Sequence, residues 1–129
     1  MKPPEDPHIW TVVLKPVAEA VREGRDLVAT AFGSWGMDTY EPRVVAGELL
    51  ANAWRASAEG QHIVVRAYLN GDRPTLEVWD ENPRLPVVGE PSPTDEHGRG
   101  LLIVGEYTTR WGVRPCPEGG KVIWAEFPI

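Results

Sequence analysis

Residues 44–57 carry polar side chains at a spacing that could perform chemistry. They read VVAGELLANAWRAS, and a helix places Glu48, Asn52 and Arg55 on one face, because residues i, i+4 and i+7 stack above one another. The other positions are mostly apolar, so this polar stripe should face a cavity, a polar network or a ligand. Glu48 could take a proton from a hydroxyl, and the carbonyl oxygen of Asn52 suits Mg²⁺ beside phosphate oxygens. The alternative is a Glu–Asn–Arg network with a structural role only.

Asp80 is a second candidate, because it ends a predicted strand. Two β-branched and aromatic runs flank Asn70-Gly71, a pair typical of β-hairpins. Alternation along the second run sends Asp80 to the same face as Leu76 and Val78, toward the core. A carboxylate in that position has either a buried partner or a ligand.

A glycine-rich segment, His97-Gly98-Arg99-Gly100, is the third candidate. It leads into Leu101, where a helix is predicted to start. A helix N-terminus offers unpaired N–H groups and a partial positive charge, which suit phosphate, although a plain turn would read the same way. The proline-rich residues 81–97 before it show no periodicity and are interpreted as a lid.

The remaining sequence predicts the elements that position these candidates. Strands are expected at Ile9–Leu14 and on both sides of Asn70-Gly71, and two more form a closing hairpin around residues 117–120. Helices are expected over Val17–Phe32 and from Pro42 to Gly60. The order β-α-α-β-β-lid-α-β-β predicts an α+β fold, a two-layer sandwich with a mixed, mostly antiparallel sheet and helices on one face.

Composition narrows the class of protein. The chain has 129 residues, 42% hydrophobic and 25% charged, which predicts a single domain over residues 9–129 after a flexible arm at residues 1–8. A net charge of −6 disfavours nucleic-acid and anionic-membrane partners. Cys116 is the only cysteine, and no apolar run approaches the roughly 18 residues of a membrane span, so a cytoplasmic protein is expected.

These segments, in this order, resemble the GHKL or Bergerat-fold ATPase superfamily of gyrase, heat-shock protein 90, histidine kinases and MutL. The small bacterial anti-sigma-factor serine kinases are most similar in length and connectivity. ELLANAW resembles the N box, VWDENP a degraded G1 box, HGRGLLIV the G2 box and GGKVIWAEF the closing strand, over about residues 10–127.

The resemblance implies ATP and Mg²⁺ as ligands and gives each candidate a role. Asn52 would hold Mg²⁺, Glu48 would be the general base, and Asp80 would accept a hydrogen bond from the adenine amine. The phosphates would lie under the lid against the remaining candidates, which are Gly98, Arg99, Gly100 and Leu101.

Three positions depart from the superfamily pattern. Glu81-Asn82-Pro83 replaces the glycines of the G1 box, Val122 is interpreted as standing where relatives carry Thr, and Ala56 replaces the usual His. Two functions therefore compete. One is an ATP-dependent serine/threonine kinase that phosphorylates an antagonist and, in another state, holds a sigma factor, and the other is a partner-binding module that binds nucleotide weakly or not at all. A structural sandwich with a coincidental polar stripe is a third possibility.

The outer face of the sheet is a candidate surface for a protein partner or for a homodimer. Alternation fills it with three aromatic and three charged side chains: Arg66, Tyr68, Glu77, Trp79, Trp124 and Glu126. The other notable side chains have plainer interpretations. His97 is read as a lid-end residue, Arg55 as a partner of Glu48 or Glu59, and no metal other than Mg²⁺ is expected.

Overall fold

The computed structural model describes residues 9–85 and 96–128, which form three helices and five strands. In chain order these are β1 (Trp10–Leu14), α1 (Glu19–Ser34), α2 (Tyr40–Ala56), β2 (Ile63–Asn70), β3 (Arg73–Asp80), α3 (Glu96–Tyr107), β4 (Arg110–Pro115) and β5 (Lys121–Glu126). This is the predicted order. The predicted arm and most of the predicted lid lie outside the described residues.

The strands form one sheet in the order β1-β2-β3-β5-β4, and each neighbouring pair is antiparallel. The predicted two-layer α+β sandwich is confirmed. The sheet was expected to be mixed, yet the described strands contain no parallel pair. The reason is that β5 inserts between β3 and β4, so the crossover through α3 makes no parallel neighbours.

The β2–β3 hairpin has a two-residue loop, Gly71-Asp72, closed by the pair Asn70–Arg73. Gly71 has a φ of +66°, as the first loop position of a type II′ turn requires. The predicted hairpin is therefore present, with its loop one residue later than Asn70-Gly71.

The core lies between the sheet and the three helices. Alternate residues of β2, β3 and β5 point inward, and α2 contributes one fully buried face: Val45, Ala46, Leu49, Leu50 and Ala53. Gly24, in the middle of α1, lies against the side chain of Leu50, where a Cβ atom would clash. Gly24 thus lets α1 and α2 approach closely, which offsets the cost of a helical glycine. None of the described helices is long and apolar enough to cross a membrane.

Candidate functional site

Helix α2 carries the polar stripe and is fixed at both ends. The Asp38 carboxylate accepts a hydrogen bond from Tyr40 N (2.8 Å) at its start, and the Ser57 hydroxyl donates to Ala53 O (2.7 Å) at its end. Glu48 and Asn52 are half-buried, while Arg55 is exposed and makes no ion pair with another described residue. The stripe therefore borders the core without forming the Glu–Asn–Arg network that was the structural alternative.

The Glu48 carboxylate lies directly against α3. A Cβ atom placed on Gly100 would be 2.6 Å from Glu48 Oε2, so only a glycine leaves room for the carboxylate there. Asn52 follows one helical turn later on the same face of α2. The structure thus brings Glu48 and Gly100, which belong to two of the predicted site segments, into contact.

Helix α3 begins earlier than the sequence predicted, at Glu96 rather than at Leu101. Gly100 and Leu101 therefore lie beyond the first turn, where N–H groups bond within the helix, and Leu101 is buried in the core at 2% exposure. Their role as phosphate ligands stays a prediction, and it would not use free N–H groups of the helix start. Gly98 and Arg99 lie in the first turn, so a phosphate site at the helix start would use that part of the segment.

Asp80 has a buried partner, Lys121. The two residues face each other across β3 and β5, and Lys121 Nζ lies 2.9 Å from Asp80 Oδ1. Lys121 also donates to Asn82 O (2.9 Å), and Asn82 N donates to Asp80 Oδ1 (2.9 Å). Of the two alternatives for a core-facing carboxylate, the structure contains the paired one.

Burial dominates the electrostatics of this pair. It raises the pKa of the Asp80 carboxyl above its ordinary value, while the hydrogen bond and charge of Lys121 and the N–H of Asn82 act in the opposite direction. A buried ammonium and a buried carboxylate stabilise each other only as a pair, because each alone would lose its hydration uncompensated.

Residues 81–84 follow a defined path that ties the end of β3 to the end of α2. Asn82 Nδ2 donates to Ala56 O (3.0 Å), and Asn82 Oδ1 accepts from Arg84 N (2.9 Å). Glu81 Oε2 accepts from His62 N (2.6 Å). Glu81 and Asn82, which depart from the G1-box glycines, thus supply side-chain hydrogen bonds that hold this segment in place.

Lys121 is the site residue that the sequence analysis missed. The alternation of side chains along β5 could have identified it, because Lys121 shares the inward face with Ile123 and Ala125. Val122, which the resemblance places where relatives carry Thr, pairs with Trp79 and points to the face of the sheet opposite Asp80. The residue facing Asp80 is Lys121.

Comparison with known protein families identifies the family of this chain. Residues 14–127 match the family described as histidine kinase-like ATPase domain. The chain belongs to this family. No match is found among curated proteins. The resemblance inferred from the three boxes is confirmed at this level, and ATP binding is the activity that membership of this ATPase family supports.

The candidate nucleotide site of this histidine kinase-like domain has a predicted phosphate end and a predicted base end. At the phosphate end, Asn52 and Glu48 are half-buried, Glu48 lies against Gly100 of α3, and an amide oxygen with a carboxylate is a donor set that Mg²⁺ accepts. At the base end, Asp80 is 1% exposed and already bonded to Lys121 and Asn82 N. Both bonds go to Oδ1, and no hydrogen bond from another described residue reaches Oδ2, so Oδ2 is the oxygen that could accept an adenine amine. The described residues contain no cluster of three His, Cys, Asp or Glu side chains suited to another metal.

Proposed function

We propose that this histidine kinase-like domain is a regulatory protein that binds Mg²⁺-ATP between α2 and α3 and transfers phosphate to a serine of a protein antagonist. The observation that carries the proposal is the contact of the Glu48 carboxylate with Gly100, one helical turn from Asn52. This contact places a proton acceptor against α3, near the N-terminal end of that helix. A neutral oxygen ligand follows one turn later on α2.

Each residue has one role in this proposal. Asn52 holds Mg²⁺, and the start of α3, at Gly98 and Arg99, receives phosphate oxygens. Glu48 accepts the proton of the incoming serine hydroxyl, which is typically worth about 10²–10⁴-fold in rate. ATP supplies the transferred phosphoryl group. The partner is a sigma factor or its antagonist, as in the anti-sigma-factor kinases that the sequence resembles.

A partner-binding module without phosphate transfer is the second candidate function. The pair of Asp80 and Lys121 favours it, because the carboxylate on which adenine recognition would depend is buried and already has a cationic partner. The hydrogen bonds of Asn82 also favour the partner-binding module, since they hold residues 81–84 in place without any ligand.

Titration calorimetry with ATP, with and without Mg²⁺, tests both candidates. For the kinase, ATP binds, Mg²⁺ strengthens binding, and Glu48→Gln retains ATP while phosphate transfer to the antagonist falls by about 10²-fold or more. Glu41→Gln is the matched control, because Glu41 is exposed in the first turn of the same helix. Failure of the wild type to bind ATP at millimolar concentration would leave only the module.

A further inference from the structure

The outer face of the sheet carries two clusters in which two arginines flank one glutamate. We call this surface the arginine face and define it by Arg66, Glu77 and Arg114 in one cluster, by Arg73, Glu126 and Arg110 in the other, and by Tyr68 and Trp124 beside them. The helices pack on the opposite side of the sheet, so none of the described helices covers this surface.

In the first cluster, Glu77 is the shared acceptor. Arg114 Nη2 donates to Glu77 Oε2 (3.2 Å), Arg66 Nη1 lies 3.7 Å from Oε1, and the Tyr68 hydroxyl donates to Oε2 (2.7 Å). Burial, together with the bond to Glu77, raises the pKa of the Tyr68 hydroxyl, which therefore stays protonated as a donor.

In the second cluster, Arg110 binds Glu126 through two parallel hydrogen bonds. The distances are 2.7 Å from Nε to Oε2 and 3.0 Å from Nη2 to Oε1, and Arg73 Nη1 lies 3.7 Å from Oε2. Bidentate geometry of this kind fixes the plane of a guanidinium. Arg110 is therefore oriented before any partner arrives.

Trp124 forms the floor between the two clusters. Its indole lies against Gly112, where a Cβ atom would be 2.7 Å from Cζ2, and the Arg110 guanidinium lies 5.7 Å from its ring centre. The side chains enclose an open depression of about 240 Å³. The surface thus combines a flat aromatic floor with arginines along its rim, a composition enriched in binding hot spots.

The charge of this face is opposite to that of the whole protein. Four arginines meet two glutamates here, whereas the chain carries a net charge of −6. The glutamates are more than nine-tenths buried, while Arg73, Arg110 and Arg114 keep more than half of their side-chain surface exposed. An approaching partner therefore meets the arginines, and one positive charge in each cluster has no counterpart.

We propose that the arginine face binds an acidic segment of a partner protein, with its carboxylates on the exposed arginines and an apolar side chain on Trp124. Because the glutamates already hold the guanidinium groups in place, ordering these side chains on binding costs little. The acidic remainder of the molecule repels such a segment, so electrostatic steering favours this one face.

Other occupants fit the charges less well. A second copy docked face to face would bring eight arginines against four glutamates, and nucleic acid would be repelled by the negative remainder of the protein. The inference goes beyond the proposed function and does not depend on it, because no residue of the arginine face belongs to the candidate nucleotide site.

An NMR titration with a synthetic peptide of glutamate, leucine and serine tests the proposal. The control peptide has the same sequence with lysine in place of each glutamate. The signals to follow are the indole N–H groups of Trp124 on the arginine face and Trp54 on α2. We expect the acidic peptide to shift the Trp124 signal, and raising the salt from low ionic strength to about 0.15 M to weaken binding.

The variant Arg66→Gln/Glu77→Gln/Arg114→Gln removes one cluster while keeping an uncharged partner for Tyr68. Its net charge changes by one unit, as does that of the control Arg22→Gln, which alters an exposed arginine on α1. The triple variant should bind the acidic peptide at least about tenfold more weakly, and the control should bind it like the wild type.

Four results would overturn the proposal: absence of acidic-peptide binding, equal binding of the lysine peptide, equal loss in the Arg22→Gln control, or shifts confined to Trp54. If the wild type sediments as a dimer and the triple variant sediments as a monomer, the arginine face binds a second copy of this chain instead. ATP affinity measured on the same variants distinguishes failure of the arginine-face proposal from failure of the proposed nucleotide site. The triple variant should leave the ATP affinity unchanged.

Discussion

Lys121 Nζ lies 2.9 Å from Asp80 Oδ1, and the side chains are only 2% and 1% exposed. This ion pair lies where the family resemblance places the base of the nucleotide. At the predicted phosphate end Glu48 and Asn52 are half-buried, while at the predicted base end Asp80 is buried and ion-paired.

Lys121→Met should destabilise the protein by about 3–5 kcal/mol, because it leaves the Asp80 carboxylate buried without its countercharge. Urea unfolding measures the change. The double variant Asp80→Asn/Lys121→Met removes both charges and should recover most of the loss. Lys15→Met, at an exposed position, is the control and should be close to neutral. A Lys121→Met protein as stable as the wild type would show that the pair contributes nothing.

Asn52→Ala should abolish the strengthening of ATP affinity by Mg²⁺ while leaving metal-free ATP affinity nearly unchanged. The reason is that the Asn52 carbonyl is a neutral ligand whose contribution is needed only when the cation is present. Calorimetry with and without Mg²⁺ measures both affinities. Asn70→Ala, in the exposed β2–β3 hairpin, provides the control. An Mg²⁺ effect that persists in Asn52→Ala would assign the metal to other residues.

Gly100→Ala should displace the Glu48 carboxylate, because the new Cβ atom would lie 2.6 Å from Oε2. An alanine inside a helix normally stabilises by roughly 0.5–1 kcal/mol relative to glycine, and here that gain should be lost. The gain should return when Glu48→Ala is added, which makes the two substitutions non-additive. Thermal unfolding of the four proteins measures this coupling, and Gly105→Ala gives the reference for the same helix. Strict additivity would mean that Glu48 moves away freely.

Arg110→Gln should lower stability at neutral pH, and the loss should disappear in acid. The Arg110 guanidinium, through its hydrogen bonds and charge, holds the pKa of Glu126 below its ordinary value of 4.5. The contribution is therefore complete above about pH 4.5 and is lost as the pH falls through the lowered pKa of the folded state. The raised pKa of Arg110 keeps that side chain charged throughout this range.

Urea unfolding of the wild type and of Arg110→Gln across the acidic range tests this sign. The difference between their free energies of unfolding should be constant from neutral pH to about pH 4.5 and should then shrink. Arg22→Gln is again the control, with no such pH-dependent difference. A gap that widened in acid would contradict the assignment of Glu126 as the titrating partner.

The element order and the layers were predictable because they rest on local patterns. The alternation in β3 correctly placed Asp80 on the core side, and the spacing in α2 correctly grouped Glu48 with Asn52. Trp54 shows the limit of the same approach. It was counted with the apolar surround of α2, yet it is 40% exposed, because the sheet and α1 cover only one face of that helix.

The details of the site depended on contacts between distant segments. Lys121 is Asp80's partner only because β5 is the neighbour of β3, and no local pattern specifies that order. The start of α3 was placed too late for a different reason: glycines have low helix propensity, and Gly98 and Gly100 are nevertheless helical. Gly100 is tolerated in the helix because only a glycine leaves room there for the Glu48 carboxylate, so tertiary packing overrides the low helix propensity.

The position of β5 between β3 and β4 also has a consequence for how the chain folds. Its neighbour β3 ends at Asp80 and β5 begins at Lys121, so the centre of the sheet forms only after a stretch of about forty residues has closed on itself. Pairing across such a separation is slow, because chain entropy is lost before the contacts compensate for it. The β2–β3 and β4–β5 hairpins can each assemble from neighbouring segments, whereas the β1–β2 and β3–β5 pairings join distant ones. The candidate base-binding end, where Asp80 faces Lys121, therefore forms only when the two hairpins meet.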